Sequence, residues 1–169
     1  MSQRSGSSRR GDIAAMCKER NTSSPAHPRA RHHMVKRLKM AQAYKSPSSL
    51  RRILIVDDEE EMALILQLAL KTLPDCEVVI VASAEQALPL LEQKPFDMVI
   101  TDYNMPGMDG VTLATRIRQL FPLIAVVMVT AYRSDALFKL AADASLQRVL
   151  SKPVNLTELC SLVMQILGR

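Results

Sequence analysis

The sequence predicts an α/β fold, a doubly wound parallel sheet with helices on both faces. Three observations predict it. Short β-branched runs recur as RILIV (52–56), VVIVA (78–82), MVI (98–100) and IAVVMV (124–129). These runs are continuous rather than alternating, as expected of strands covered on both sides. Helical patterns lie between them, and strand–helix alternation favours right-handed crossovers between parallel strands.

The elements follow in order. After the first strand, EEMALILQLALKTL (60–73) repeats apolar residues at 62, 65, 66, 69 and 73, a helix with one core-facing stripe. After the second strand, Ser83 with Gln86 three residues on is a capping box that opens a helix through Leu91. Pro89 is expected to kink it. The third strand runs into Asp102, and the chain then turns through Pro106, Gly107 and Gly110 into a helix over 110–120. The fourth ends in Thr130-Ala131, ahead of a helix at 134–142. A weak fifth strand around Arg148–Leu150 runs into Ser151-Lys152-Pro153 and a last helix at 155–167. This gives five strands and five helices.

Charge divides the chain. Residues 1–52 hold 13 Lys and Arg against Asp12 and Glu19, a net of +11, whereas residues 53–169 carry a net of −6. Within residues 1–50 only Ile13, Val35, Leu38 and Leu50 are Ile, Leu, Val or Phe, beside nine serines. Such a segment buries too little apolar surface to offset its ordering entropy, so 1–50 is expected to be a disordered basic N-terminal extension. Within it, HMVKRLKMAQAY (33–44) places Met34, Leu38 and Ala41 on one helical face among Lys36, Arg37 and Lys39. That is either a basic amphipathic helix or a solvated linker. Met16, Met34 and Met40 also leave open a later translation start.

Cys17, Cys76 and Cys160 form no C-x-x-C pair and read as reduced thiols. No apolar core follows Arg4, Arg9 and Arg10, so no secretory signal is expected. LIAVVMV (123–129) is too short to cross a bilayer. A cytoplasmic location is expected.

In a parallel sheet the strand ends lie along one edge, where ligands of doubly wound folds bind. Asp57-Asp58, Asp102, Thr130-Ala131 and Lys152 would converge there. Grouped carboxylates repel unless protonated or bridged by a cation, and Mg²⁺ suits a phosphate ligand. Lys152 balances further negative charge, and the Thr130 hydroxyl can meet an incoming oxygen. This is equipment for phosphoryl transfer to a carboxylate. Each piece alone also fits ordinary structure, Asp57-Asp58-Glu59 as the cap and acidic first turn of a helix and Lys-Pro as loop chemistry. Their order at successive strand ends makes the joint case.

ILIVDDE, VITDYNMPGMDG, VTAY and LSKP together resemble the receiver domain of bacterial two-component response regulators, over residues 51–169. The resemblance implies a flavodoxin-like five-stranded sheet of order 2-1-3-4-5. It implies Asp102 as phosphoacceptor, loaded from a phosphohistidine on a sensor histidine kinase or histidine phosphotransfer protein. It implies Mg²⁺ bound by Asp58, Asp102 and the backbone carbonyl of Asn104, with Asp57 acting largely through water. Thr130 would turn toward the phosphoryl oxygens, the Ala131 N–H would donate to them, and Lys152 would pair with the phosphate. The Lys152–Pro153 bond is cis in such proteins.

The sequence departs from the family in three places. Val149 stands where a Tyr or Phe commonly serves as readout rotamer, Ser145-Leu146 where Gly-Ala is usual, and Arg148 where a small or acidic residue is usual. Val149 cannot act as an aromatic readout, since its branched Cβ restricts χ1. Tyr132 is the nearest aromatic to Thr130, and it either replaces the missing readout, shields the phosphoryl group from water, or is an exposed loop residue without a role.

The expected function is a stand-alone, phosphorylation-controlled signalling switch, relaying its state by protein contact and not an enzyme beyond catalysing its own loading and hydrolysis. Two rivals remain at this point: a nucleic-acid-binding regulator using the basic arm, and an aspartyl-phosphate-type hydrolase, against which the first strand lacks a D-x-D arrangement.

Overall fold

The computed structural model describes residues 50–132, 134, 139, 142–144 and 146–168. The expectations for the basic extension and its 33–44 segment, most of the helix at 134–142, and Ser145 fall outside these residues.

Strand β1 (Arg51–Val56) leads to helix α1 (Glu60–Leu70), β2 (Cys76–Val81) and α2 (Ala84–Gln93). Then come β3 (Met98–Asp102), α3 (Gly110–Leu120), β4 (Ala125–Thr130), β5 (Arg148–Ser151) and α4 (Leu156–Ile166). The five strands form one sheet in the order β2-β1-β3-β4-β5, with every pair parallel. The chain winds outward from β1 to β2 and then reverses to β3, so a crevice opens between the carboxyl ends of β1 and β3.

Alternate residues of the buried strands point to opposite faces, and each face has its own core. Ile53 and Ile55 pack with Ala63, Leu66 and Leu70 of α1 and with Leu159, Leu162 and Val163 of α4. Leu54 and Val56 pack with Ala84, Ala87 and Leu91 of α2 and with Leu113, Ala114 and Ile117 of α3. The continuous apolar runs are thus explained by burial on both sides.

Two local expectations need correction. On α1 the buried residues are Ala63, Leu66 and Leu70, with Met62 and Leu73 packed against the same core, while Ile65 is 47% exposed, so the stripe at 62, 65, 66, 69 and 73 faces the core at 62, 66 and 73 and fails at Ile65. Ser83 caps α2 as predicted, and only the reciprocal half of the capping box is displaced by one residue. Ser83 Oγ accepts from the Gln86 N–H at 3.4 Å, but Gln86 Oε1 takes the Ala82 N–H at 3.0 Å. Pro89 lies inside α2, which continues to Gln93. Among the described residues no helix is long and apolar enough to cross a membrane.

Candidate functional site

Register brings the predicted residues together. Val56 pairs with Thr101, so Asp57 and Asp102 leave β1 and β3 side by side. Asp102 pairs with Val129 and Thr130 with Ser151, which sets Thr130 and Lys152 at the next positions along the same edge. The Lys152 N–H donates to the Thr130 carbonyl at 2.8 Å, fixing the turn after β5, and the Lys152–Pro153 bond is cis.

Asp57, Asp102 and Thr130 are the buried polar residues of this edge, together with Thr101. The Lys152 ammonium stands among carboxylates, 2.9 Å from Asp102 Oδ1, 2.8 Å from Glu59 Oε1 and 3.5 Å from Asp57 Oδ2. Burial disfavours its charge, but hydrogen bonds to Glu59 and Asp102, with the charges of Asp102 and Asp57, outweigh that and hold it above the ordinary lysine range. Asp57 moves the other way. Burial is the largest influence and pushes its carboxyl above the ordinary range, although the Glu59 N–H and the Lys152 charge pull it back. One of its oxygens, Oδ1, accepts from the Glu59 N–H at 2.9 Å, while Oδ2 is buried without a hydrogen bond.

The loop after β3 is held close to the acceptor. Asp102 Oδ2 accepts from the Asn104 N–H at 2.8 Å. Gly110 packs against the strand end so tightly that a Cβ there would lie 2.1 Å from the Asp102 carbonyl oxygen, so only glycine fits. Gly107 adopts φ +81°, and the neighbouring Met108 N–H donates to Glu85 Oε1 of α2 at 3.2 Å. Asp109 then caps α3 by accepting from the Thr112 N–H at 2.7 Å. The sequence PGMDG therefore turns the chain back over the sheet edge and leaves the Asp102 carboxylate at its mouth.

Asp57 and Asp102 meet at the Lys152 ammonium, and Thr130 ends the neighbouring strand on the same edge. Asp58, Asn104 and Ala131 are exposed on the adjoining loops, and Val149 is half-buried on β5. Tyr132 is exposed beside Thr130, whose Oγ1 accepts from the Tyr132 N–H at 3.0 Å. Sequence reasoning missed Glu59 as a partner of Lys152, Glu85 as a support for the 107–108 turn, and Tyr103, whose ring meets that of Tyr132. Glu59 had a signal, since it follows the two aspartates at the same strand end. Glu85 and Tyr103 had none, because their contacts join segments far apart in sequence.

The response regulator receiver domain family matches residues 53–164. The probable chemotaxis protein CheY of Rhizobium etli is 30% identical over 119 residues, covering 69% of this chain and 92% of that protein. Response regulator protein FleR of Pseudomonas aeruginosa is 43% identical over 81 residues, covering 48% of this chain and 17% of FleR. The chain therefore spans nearly all of one relative and a small part of another. Among solved structures, the signal receiver domain of an HD domain-containing protein from Pseudomonas fluorescens superposes with a TM-score of 0.68 at 33% identity, covering 72% of this chain and 90% of that one. A CheY-like receiver domain protein from Methanospirillum hungatei gives 0.67 at 31% identity, covering 70% and 94%. Members of this family are switches that accept a phosphoryl group on an aspartate rather than conventional enzymes, and they generally bind Mg²⁺ in an acidic pocket. With its 2-1-3-4-5 sheet and its carboxylates drawn up around one lysine, the chain belongs to the receiver domain family of two-component response regulators.

Proposed function

We propose that Asp102 is the phosphoacceptor of a cytoplasmic signalling switch comprising residues 51–169, loaded by a sensor histidine kinase or histidine phosphotransfer protein. The observation that carries this reading is the buried Asp102 carboxylate with the Lys152 ammonium 2.9 Å from Oδ1. In the loading step a carboxylate oxygen of Asp102 forms a bond to phosphorus as the bond from phosphorus to the donor imidazole nitrogen breaks. Lys152 already lies where negative charge is added, and its raised basicity keeps it charged throughout. Thr130 and the Ala131 N–H meet the phosphoryl oxygens from the next strand. Hydrolysis of the acyl phosphate by water returns the carboxylate and ends the signal, and output passes by contact with a downstream protein.

The residues fit a divalent cation. A buried carboxylate oxygen without a hydrogen bond, Asp57 Oδ2, faces the site beside a second buried carboxylate, a donor set of hard oxygens. Asp57, Asp58, Asp102 and the Asn104 carbonyl would hold Mg²⁺. When bound, it supplies charge compensation for the phosphoryl oxygens.

Incubation with Mg²⁺ and acetyl phosphate is expected to add one phosphoryl group by intact mass, and Asp102→Asn to abolish it. Equal labelling of the two proteins would refute the assignment.

A further inference from the structure

The Tyr103 and Tyr132 rings meet edge to face, with centroids 6.0 Å apart and planes at 73°. Tyr103 follows Asp102 directly, and Tyr132 follows Thr130 by two residues, so the contact bridges the loops that leave the strands carrying the acceptor and the switch hydroxyl. Tyr103 is the anchored member. It is half-buried, its N–H donates to the Val129 carbonyl at 3.1 Å, and its own carbonyl accepts from the Gly110 N–H at 3.0 Å. Tyr132 is 57% exposed and is tied to the switch, because its N–H donates to Thr130 Oγ1 at 3.0 Å. A threonine that rotates about χ1 toward a phosphoryl oxygen on Asp102 moves its hydroxyl away from that N–H. The ring contact then resists or follows the change.

We infer that Tyr103 is a positioning residue: its ring holds Tyr132, and through the Tyr132 N–H the Thr130 hydroxyl, in the unphosphorylated arrangement. The pair thereby sets how readily the site closes on a phosphoryl group. This rests on the reading of Asp102 as acceptor and Thr130 as switch. The pair fills a role for which β5 offers only Val149, whose side chain has no ring to turn. An edge-to-face contact of this kind biases an equilibrium by roughly two- to tenfold.

The test uses the full chain with Mg²⁺ and beryllofluoride, a stand-in for a phosphoryl group on a carboxylate. Affinity is measured by calorimetry, and the tyrosines are followed by near-ultraviolet circular dichroism. With no tryptophan and three tyrosines in the chain, that signal reports Tyr44, Tyr103 and Tyr132 directly. Tyr103→Leu is expected to bind beryllofluoride roughly two- to tenfold more tightly, and Tyr103→Phe, which keeps the ring, to restore wild-type affinity. Tyr132→Leu, at an exposed position, is expected to match Tyr103→Leu, and the double variant to gain no more than either alone. Wild-type binding should change the tyrosine signal, and Tyr103→Leu should lose most of that change. Unchanged or weakened affinity in both single variants, or gains that add in the double variant, would overturn the proposal while leaving the acceptor assignment standing. Failure of the folded wild type to bind beryllofluoride would overturn both.

Discussion

Asp57 keeps one carboxyl oxygen buried without a hydrogen bond, and burial raises its proton affinity. Its charge therefore opposes folding of the metal-free protein, because an acid with a raised folded pKa binds protons more tightly folded than unfolded. The contribution of Asp57 to stability is then most favourable below the unfolded carboxylate range and is lost as pH rises through the raised value. Asp57→Asn removes this cost, and Lys152 still has Asp102 and Glu59 as partners. In EDTA at pH 7 the variant is expected to melt above wild type. The gap should narrow as pH falls and Asp57 protonates. Added Mg²⁺ should raise the wild-type midpoint by mass action and leave the variant nearly unmoved. Thermal melts showing equal midpoints, or a gap that widens in acid, would mean that the buried charge costs nothing. At this scale the sequence was informative where chemistry depends on residue type at a strand end, as for Asp57, Asp102, Thr130 and Lys152. It did not single out Glu59, because three successive glutamates, Glu59 to Glu61, look alike until Lys152 folds back from the last strand to meet one of them.

Strands were easier to place than helix faces. β3 and β4 are buried at every position, so their apolar runs have no face to assign and mark the elements directly. Helix α1 is harder because apolar residues surround much of it. Leu64, Ile65 and Leu68 are 45%, 47% and 66% exposed, whereas the core takes Ala63, Leu66 and Leu70. Large side chains dominate a periodicity count, and the small Ala63 that packs against the sheet adds little to it. The corrected face carries a stability prediction. Leu70→Ala removes a fully buried side chain and is expected to cost about 2–4 kcal/mol. Ile65→Ser, at the position of the predicted stripe that the structure leaves exposed, is expected to cost under about 1 kcal/mol, mostly helix propensity. Urea unfolding of the two variants distinguishes these positions, and a larger loss for Ile65→Ser would return Ile65 to the core-facing stripe.

Across the whole molecule, alternation of strands and helices implies parallel pairing but leaves the strand order open, since a doubly wound sheet can reverse after a different number of strands. The 2-1-3-4-5 order was available only through the family motifs. The reversal after β2 is what sets β1 beside β3, and hence Asp57 beside Asp102. Among the described residues, both cores begin at Ile53 or later, and the residues just before it contribute ion pairs at the sheet's opposite end. Arg51 meets Asp97 at 3.0 Å and Arg52 meets Glu77 at 2.7 Å. A chain starting at Leu50 keeps those pairs, all five strands and every proposed site residue. It is expected to fold with a melting midpoint within about 5 °C of the full chain, a margin worth roughly 1 kcal/mol. It should also load Asp102 from acetyl phosphate at the same rate. Parallel melts and a time course of intact mass check both statements. A midpoint lowered by more than that margin would mean that residues 1–49 pack against the domain. An unchanged midpoint with slower loading would instead place their influence on the phosphorylation site itself.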